Sequence, residues 1–241
     1  MRLIGIIRLQ GEIEIITGLN IGAGDLEMRI GGLDKTTIRD PRSNEPYLPG
    51  SSLKGKIRSL LEWRSGAVQQ GPVNLKTLEL HRGKPAEAEV RRIIQLFGVS
   101  GDQNLDDETA KDIGPTRISV ADARLIPDPQ GSNLPLTEIK SENSIDRISG
   151  VAANPRFFER VAPGVKFRLD ISIKHLEGDD DLLQMLLEGM KLLESDSLGG
   201  SGSRGYGKVR FARLTRDGED IQAAFDSINP FQPQQRTASA A

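Results

Sequence analysis

Residues 165–174 alternate without a break: Val165, Phe167, Leu169, Ile171 and Ile173 are apolar, while Lys166, Arg168, Asp170, Ser172 and Lys174 are polar. Successive side chains of an extended chain point to opposite faces, so this pattern predicts a strand with one wet and one buried face. The buried face then has to be covered by another part of the chain. A second stretch of the same period runs over residues 7–15, with Ile7, Leu9, Ile13 and Ile15 set against Arg8, Gln10, Glu12 and Glu14. Two further strands are expected over Arg117–Ile126 and Val209–Leu214.

Cover for the sheet comes from helical spacing. Leu53, Ile57, Leu60 and Leu61 recur at the interval of one helix face, and Ser51 or Ser52 stands where an N-cap belongs. A second helix is expected from Ala86 to Phe97, closed by Gly98, and a strongly apolar third from Leu182 to Leu193. Strand, helix, strand, strand, helix, strand is the order of the split βαβ arrangement. The expected class is therefore α+β: a ferredoxin-like, RRM-like palm with an inserted helical region. One domain is expected over 1–228, followed by a disordered tail over 229–241. The polar segment from Ile126 to Arg147, broken by Pro127, Pro129 and Pro135, reads as an insertion between the two central strands. Residues 64–84 give no readable pattern.

Composition excludes several chemistries. No cysteine is present, so disulfides, thiolate metal sites and cysteine nucleophiles are ruled out. Only His81 and His175 are available for histidine catalysis, and His175 ends a strand. No apolar run is long enough to span a bilayer, so a cytoplasmic protein with no membrane partner is expected. The net charge of −2 is unusual for a free-standing nucleic-acid binder. The charge is segregated, however: acids gather at 102–112 and 177–181, bases at Lys54, Lys56 and Arg58 and again from Arg204 to Arg216. Such segregation permits a basic groove on an acidic molecule. Aromatic residues make up only 4% of the chain, which leaves few rings for stacking bases.

Three motifs bear on chemistry. Gly199-Gly200-Ser201-Gly202-Ser203-Arg204-Gly205-Tyr206-Gly207 contains G-x-G-x-x-G, but it follows a helix and precedes a strand, the reverse of the dinucleotide-binding order. It reads either as a flexible connection or as a loop that grips phosphate with exposed N–H groups and Arg204. Pro49-Gly50-Ser51-Ser52-Leu53-Lys54-Gly55-Lys56-Ile57-Arg58 lacks the spacing of a nucleotide-hydrolysing loop. It reads as a phosphate seat at a helix N-terminus or as an ordinary capped helix with solvated lysines. Asp34 lies in Ile30-Gly31-Gly32-Leu33-Asp34-Lys35, where a lone aspartate is usually a turn former.

Nearly end to end, these blocks resemble one family. They are Thr17-Gly18-Leu19-Asn20-Ile21-Gly22, Ile30 to Asp34, Ile38-Arg39-Asp40-Pro41 with Pro46 to Arg58, Glu142-Asn143-Ser144-Ile145-Asp146-Arg147, Asn154-Pro155-Arg156, Glu159-Arg160 and Leu198 to Lys208. The chain is similar to the backbone subunit of type III-A CRISPR effectors, subunit three of the Csm complex, in the RAMP superfamily. The resemblance implies a palm with a thumb-like β-hairpin, expected here within 126–147, that pushes between bases and flips one nucleotide per subunit. It implies copies stacked in a helical filament on a crRNA, together with a large polymerase-like subunit, a small subunit and capping RAMP subunits. It implies cleavage of complementary target RNA once per subunit, with a divalent cation such as Mg²⁺. Asp34 falls on the family's catalytic aspartate, as metal ligand or as acceptor of the 2′-hydroxyl proton. RNA contacts are implied at Asn20, Ser51, Ser52, Lys54, Lys56, Arg58, Arg147, Ser203, Arg204 and Tyr206. A non-catalytic crRNA-binding scaffold of the same fold is the alternative. Some relatives carry His at the position of Asn20, and zinc-binding insertions found in others have no counterpart here.

Overall fold

The computed structural model describes residues 2–22, 35–99, 112–128 and 134–231. Asp34 and the rest of its glycine loop lie outside the described residues, as do 232–241. The strands are β1 (Leu3–Ile15), β2 (Ile118–Val120), β3 (Thr137–Ile145), β4 (Ala152–Val161), β5 (Lys166–Leu176), β6 (Val209–Arg216) and β7 (Glu219–Asp220). The helices are α1 (Gly50–Ser65), α2 (Leu75–Leu80), α3 (Glu87–Phe97), α4 (Leu182–Ser195) and α5 (Gln222–Asp226).

Five strands form one sheet in the order β2-β5-β1-β6-β7, and every neighbouring pair is antiparallel. With β1, β2, β5 and β6 as the four palm strands, this is the ferredoxin-like order, β1 and β5 being central. Ile173, Ile171, Leu169 and Phe167 of β5 and Leu9, Ile13 and Ile15 of β1 are at most 1% exposed, as period two requires. Leu53, Ile57 and Leu61 of α1, Val90, Ile93 and Ile94 of α3 and the apolar flank of α4 close over them in a single core. Helix α4 is apolar nearly all round because it packs on the sheet and on α1 together.

The register places several features at one end of this sheet. Ile15 at the end of β1 pairs with Val209 at the start of β6, and Glu14 pairs with Lys166 at the start of β5. The chain after β1, the start of α1, the loop between α4 and β6 and the hairpin β3–β4 before β5 therefore all gather there.

Four expectations need correction. First, α1 begins at Gly50 after Pro49, and neither Ser51 nor Ser52 caps it. The N–H of Gly50 instead donates to Asp122 Oδ1 at 2.8 Å, so a carboxylate from beyond β2 satisfies the helix end. Second, the strand expected over Arg117–Ile126 is a continuous ladder only over Ile118–Val120; beyond it the chain stays beside β5 through Ala121 N to Asp170 O, Ile126 N to Lys166 O and the Leu125–Phe167 bridge, while Ala123 pairs on its other side with Leu48. Third, the inserted hairpin runs from Thr137 to Val161, so 126–147 holds only its first strand. Its second strand contains Pro155 and a left-handed Asn154 (φ 53°) and is exposed along most of its length, leaving no period to read. Fourth, α5 has no counterpart in the sequence reading, yet its Phe225 is fully buried, edge-on to Phe211.

Candidate nucleic-acid interface

RNA-recognition domains bind through the open face of a sheet of this kind. Residues alternating with the buried set place Arg8, Gln10, Glu12 and Glu14 of β1, Lys166, Arg168 and Asp170 of β5 and Arg210 of β6 there. None is aromatic. Glu12 is engaged by Arg213 at 2.9 Å and Lys166 at 3.5 Å. Among the described residues this face offers no platform for stacking bases; α1, the glycine loop and the hairpin converge instead at one end of the sheet.

The glycine loop is a folded structure rather than a flexible connection. Leu198 N–H bonds to Gly207 O at 2.9 Å, Gly207 N–H to Gly18 O at 3.1 Å and Gly200 N–H to Asn20 O at 2.9 Å. Gly202–Arg204 form one 3-10 turn. Gly207 has φ +75°, and a Cβ there would lie 2.0 Å from Leu198 O, so only glycine closes the loop. Ser203 and Arg204 are exposed on it. Arg204 Nε pairs with Glu142 Oε2 at 3.0 Å while half of its side chain remains open to solvent.

Tyr206 and Asn20, both expected to touch RNA, are buried at 1% and 6% exposure. Asn20 spends its amide on Glu159 O at 2.7 Å, because β1's exit, the glycine loop and β4 meet at that residue. Burial, with the Glu142 carboxylate close by, pushes the Tyr206 phenol up to about 12. The Tyr206 hydroxyl and Glu142 Oε1 are both shielded from water and lack a hydrogen bond of standard geometry.

The basic residues of α1 divide. Arg58 is held by Glu62 at 2.7 Å and Val73 O at 2.7 Å, and so serves the fold. Lys56 pairs with Asp196 at 2.6 Å, which ties α1 to the end of α4 just before the glycine loop. Lys54 has no acidic partner among the described residues. Burial and the repulsion of Arg58 hold its pKa below the usual lysine range, so an anion placed there would be welcome. Ser51 is exposed and Ser52 half-buried.

In the hairpin, Asp146 closes the tip by accepting from Ile148 N at 3.0 Å and Ser149 N at 2.7 Å. Those N–H groups and the Ser149 hydroxyl hold its carboxyl below the usual range. Arg147 is exposed there, and Ile148 beside it is 99% exposed. At the other end, Glu159 of β4 receives Thr37 N at 2.9 Å and Arg39 Nη2 at 2.5 Å. Burial opposes the Glu159 charge, but the Thr37 N–H and the Arg39 guanidinium outweigh it and the pKa falls. Glu159 N–H also donates to Lys35 O at 3.0 Å. The residue that follows Asp34 is thus fixed to the hairpin. Arg39, Glu142, Glu159 and Arg160 stand inside the family blocks but nothing in the sequence gives them a role, and Asp122 and Lys140 carry no sequence signal.

For a divalent cation the donor set is thin. The described residues hold no cluster of three or more acidic or histidine side chains. Glu159 is spent on Arg39 and Asp40 on Arg124, whose guanidinium holds the Asp40 carboxyl down to about 2.

Comparison with known proteins identifies the family. Residues 12–210 match the RAMP superfamily. The chain is 40% identical over 212 residues to "CRISPR system Cms endoribonuclease Csm3" of Methanocaldococcus jannaschii, covering 86% of this chain and 79% of that one. It is 40% identical over 226 residues to the protein of the same name from Methanothermobacter thermautotrophicus, covering 86% and 83%. Among solved structures it is similar to the Csm3-Csm4 subcomplex of the type III-A CRISPR-Cas interference complex, with TM-score 0.53, 31% identity and coverage of 89% and 79%.

Proposed function

Because this chain belongs to the RAMP superfamily, and within it to the Csm3 endoribonucleases, we propose that it is the backbone subunit of a type III CRISPR effector. It binds crRNA as a filament of copies and cuts complementary target RNA once per subunit. The observation that carries this is the convergence, at one end of the sheet, of the α1 start, the exposed Ser203 and Arg204, and a hairpin whose strand β4 also receives Lys35. Its partners are further copies, a capping RAMP subunit such as the one its structural neighbour is paired with, the other type III subunits and the two RNAs, working in the cytoplasm.

Lys54, Lys56, Arg147, Ser51, Ser52, Ser203 and Arg204 are assigned to the sugar-phosphate backbone of the guide. Contacts of that kind position an RNA without reading its sequence, as a filament serving many guides requires. Ile148 is the wedge: an exposed aliphatic side chain on a turn fixed by Asp146 gains contacts by entering between two bases. The nucleotide it displaces leaves a bend at which a 2′-hydroxyl swings in line with the next phosphate. Asp34 supplies the carboxylate at that bend. A magnesium ion bound to it would neutralise charge building up on the phosphate. Attack by the 2′-hydroxyl breaks the P–O5′ bond and leaves a 2′,3′-cyclic phosphate and a 5′-hydroxyl.

The test is a guide-loaded complex given end-labelled complementary RNA and Mg²⁺. Evenly spaced products with cyclic phosphate ends are expected. Intact RNA that is nonetheless bound would replace the nuclease with a scaffold.

A further inference from the structure

At the joint between hairpin and sheet, one buried phenol is surrounded by charges from three chain segments. Lys140 Nζ of β3 stands 4.4 Å from the Tyr206 ring centroid and the Arg160 guanidinium of β4 stands 4.9 Å from it. A cation held against a shielded aromatic face is attracted by the ring's quadrupole. Arg160 reaches this position across Gly18, where a Cβ would lie 2.2 Å from the guanidinium Nε. Lys140 donates onward to Arg204 O at 3.4 Å, and Arg204 closes the ring of contacts on Glu142 of β3. Both hairpin strands, the turn after β1 and the glycine loop are therefore joined through Tyr206.

The backbone fixes only one of those two strands. β4 is tied to the rest of the molecule by the Leu19–Val161 pair and by the bond from Glu159 N–H to Lys35 O. The backbone of β3 bonds only to β4 among the described residues. Its links outward are side chains: the bond from Arg39 to the Thr137 hydroxyl, and the cluster on Tyr206. A two-stranded ribbon has little stability of its own, so its angle to the sheet is set by what grips its base.

We propose that Tyr206 is a positioning residue for the cut. Held by Lys140 and Arg160, it sets the angle of the hairpin against the sheet. Through β4, it thereby sets the distance between the tip at Ile148 and the chain that re-enters at Lys35, directly after Asp34. This rests on the function proposed above. At 1% exposure the ring does not touch RNA, so its influence is on where and how fast the target is cut, not on how tightly it is held.

The test maps cuts at nucleotide resolution in guide-loaded complexes of wild type, Tyr206→Phe, Tyr206→Leu, Lys140→Met and Lys140→Arg, with target binding measured in parallel. Tyr206→Phe keeps the ring and is expected to cut at the wild-type positions and rate. Tyr206→Leu is expected to bind target normally, lose at least about tenfold in cutting rate, and spread each cut over neighbouring phosphodiesters. Lys140 is partly exposed, so Lys140→Met avoids the risk that a core substitution fails to fold; it is expected to blur the cuts in the same way, and Lys140→Arg to restore them. Sharp cuts at the wild-type rate in Lys140→Met overturn the assignment. So does a loss of cutting that merely follows a loss of binding with the positions unchanged. A wild-type complex that cuts nothing overturns the proposed function itself, and this assignment with it.

Discussion

Lys54 and Arg58 lie one helical turn apart and carry the same charge, yet their surroundings divide them. Arg58 neutralises Glu62, itself only 5% exposed, and satisfies the Val73 carbonyl. Arg58→Ala leaves a buried carboxylate without its cation and is expected to lower unfolding stability by about 2 kcal/mol in urea titration. Lys54 neutralises no acid among the described residues. Lys54→Ala is expected to leave that stability unchanged and to reduce the slope of log K against log salt for crRNA binding by roughly one counterion. The sequence could not distinguish the two residues, because spacing shows which face of a helix a side chain occupies but not what waits opposite it. The same limit applies to Tyr206 and Asn20. Both sit in blocks that read as RNA-facing, and both are buried where the exit of β1, the glycine loop and the hairpin meet.

At the scale of elements, strands with one buried face were legible and the hairpin was not. β5 and β1 announce themselves by alternation because their inner faces are dry. β3 and β4 project away from the core and bury little along most of their length, so hydrophobicity leaves no record of their pairing. Their junction with the palm depends on the charged form of Glu159, whose folded pKa lies below the ordinary 4.5. A depressed carboxyl stabilises the fold above its unfolded value, and that contribution is lost as pH falls through the folded one. Wild type should therefore lose thermal stability as pH falls below about 4.5 more steeply than Glu159→Gln does. Equal slopes would show that this carboxylate contributes nothing at the junction.

For the molecule as a whole, the ferredoxin-like order was readable because strand and helix periods survive within a single chain and alternate in the right sequence. What fastens the layers was not readable. Arg117, with 3% of its side chain exposed, is bound by Asp179 at 2.8 Å and by the carbonyls of Ile113 and Pro115. It ties the start of β2 to the turn before α4. Arg117→Met strands a buried carboxylate and is expected to cost about 3–5 kcal/mol, seen as a lower urea midpoint with an unchanged m-value.

The central claim is that copies of this chain, loaded on a guide, cut the complementary strand through Asp34. It is tested most directly by comparing wild-type and Asp34→Ala complexes on labelled target RNA with Mg²⁺. An evenly spaced ladder from wild type, and intact but fully bound target with Asp34→Ala, is the predicted result. The same ladder from both proteins would contradict it.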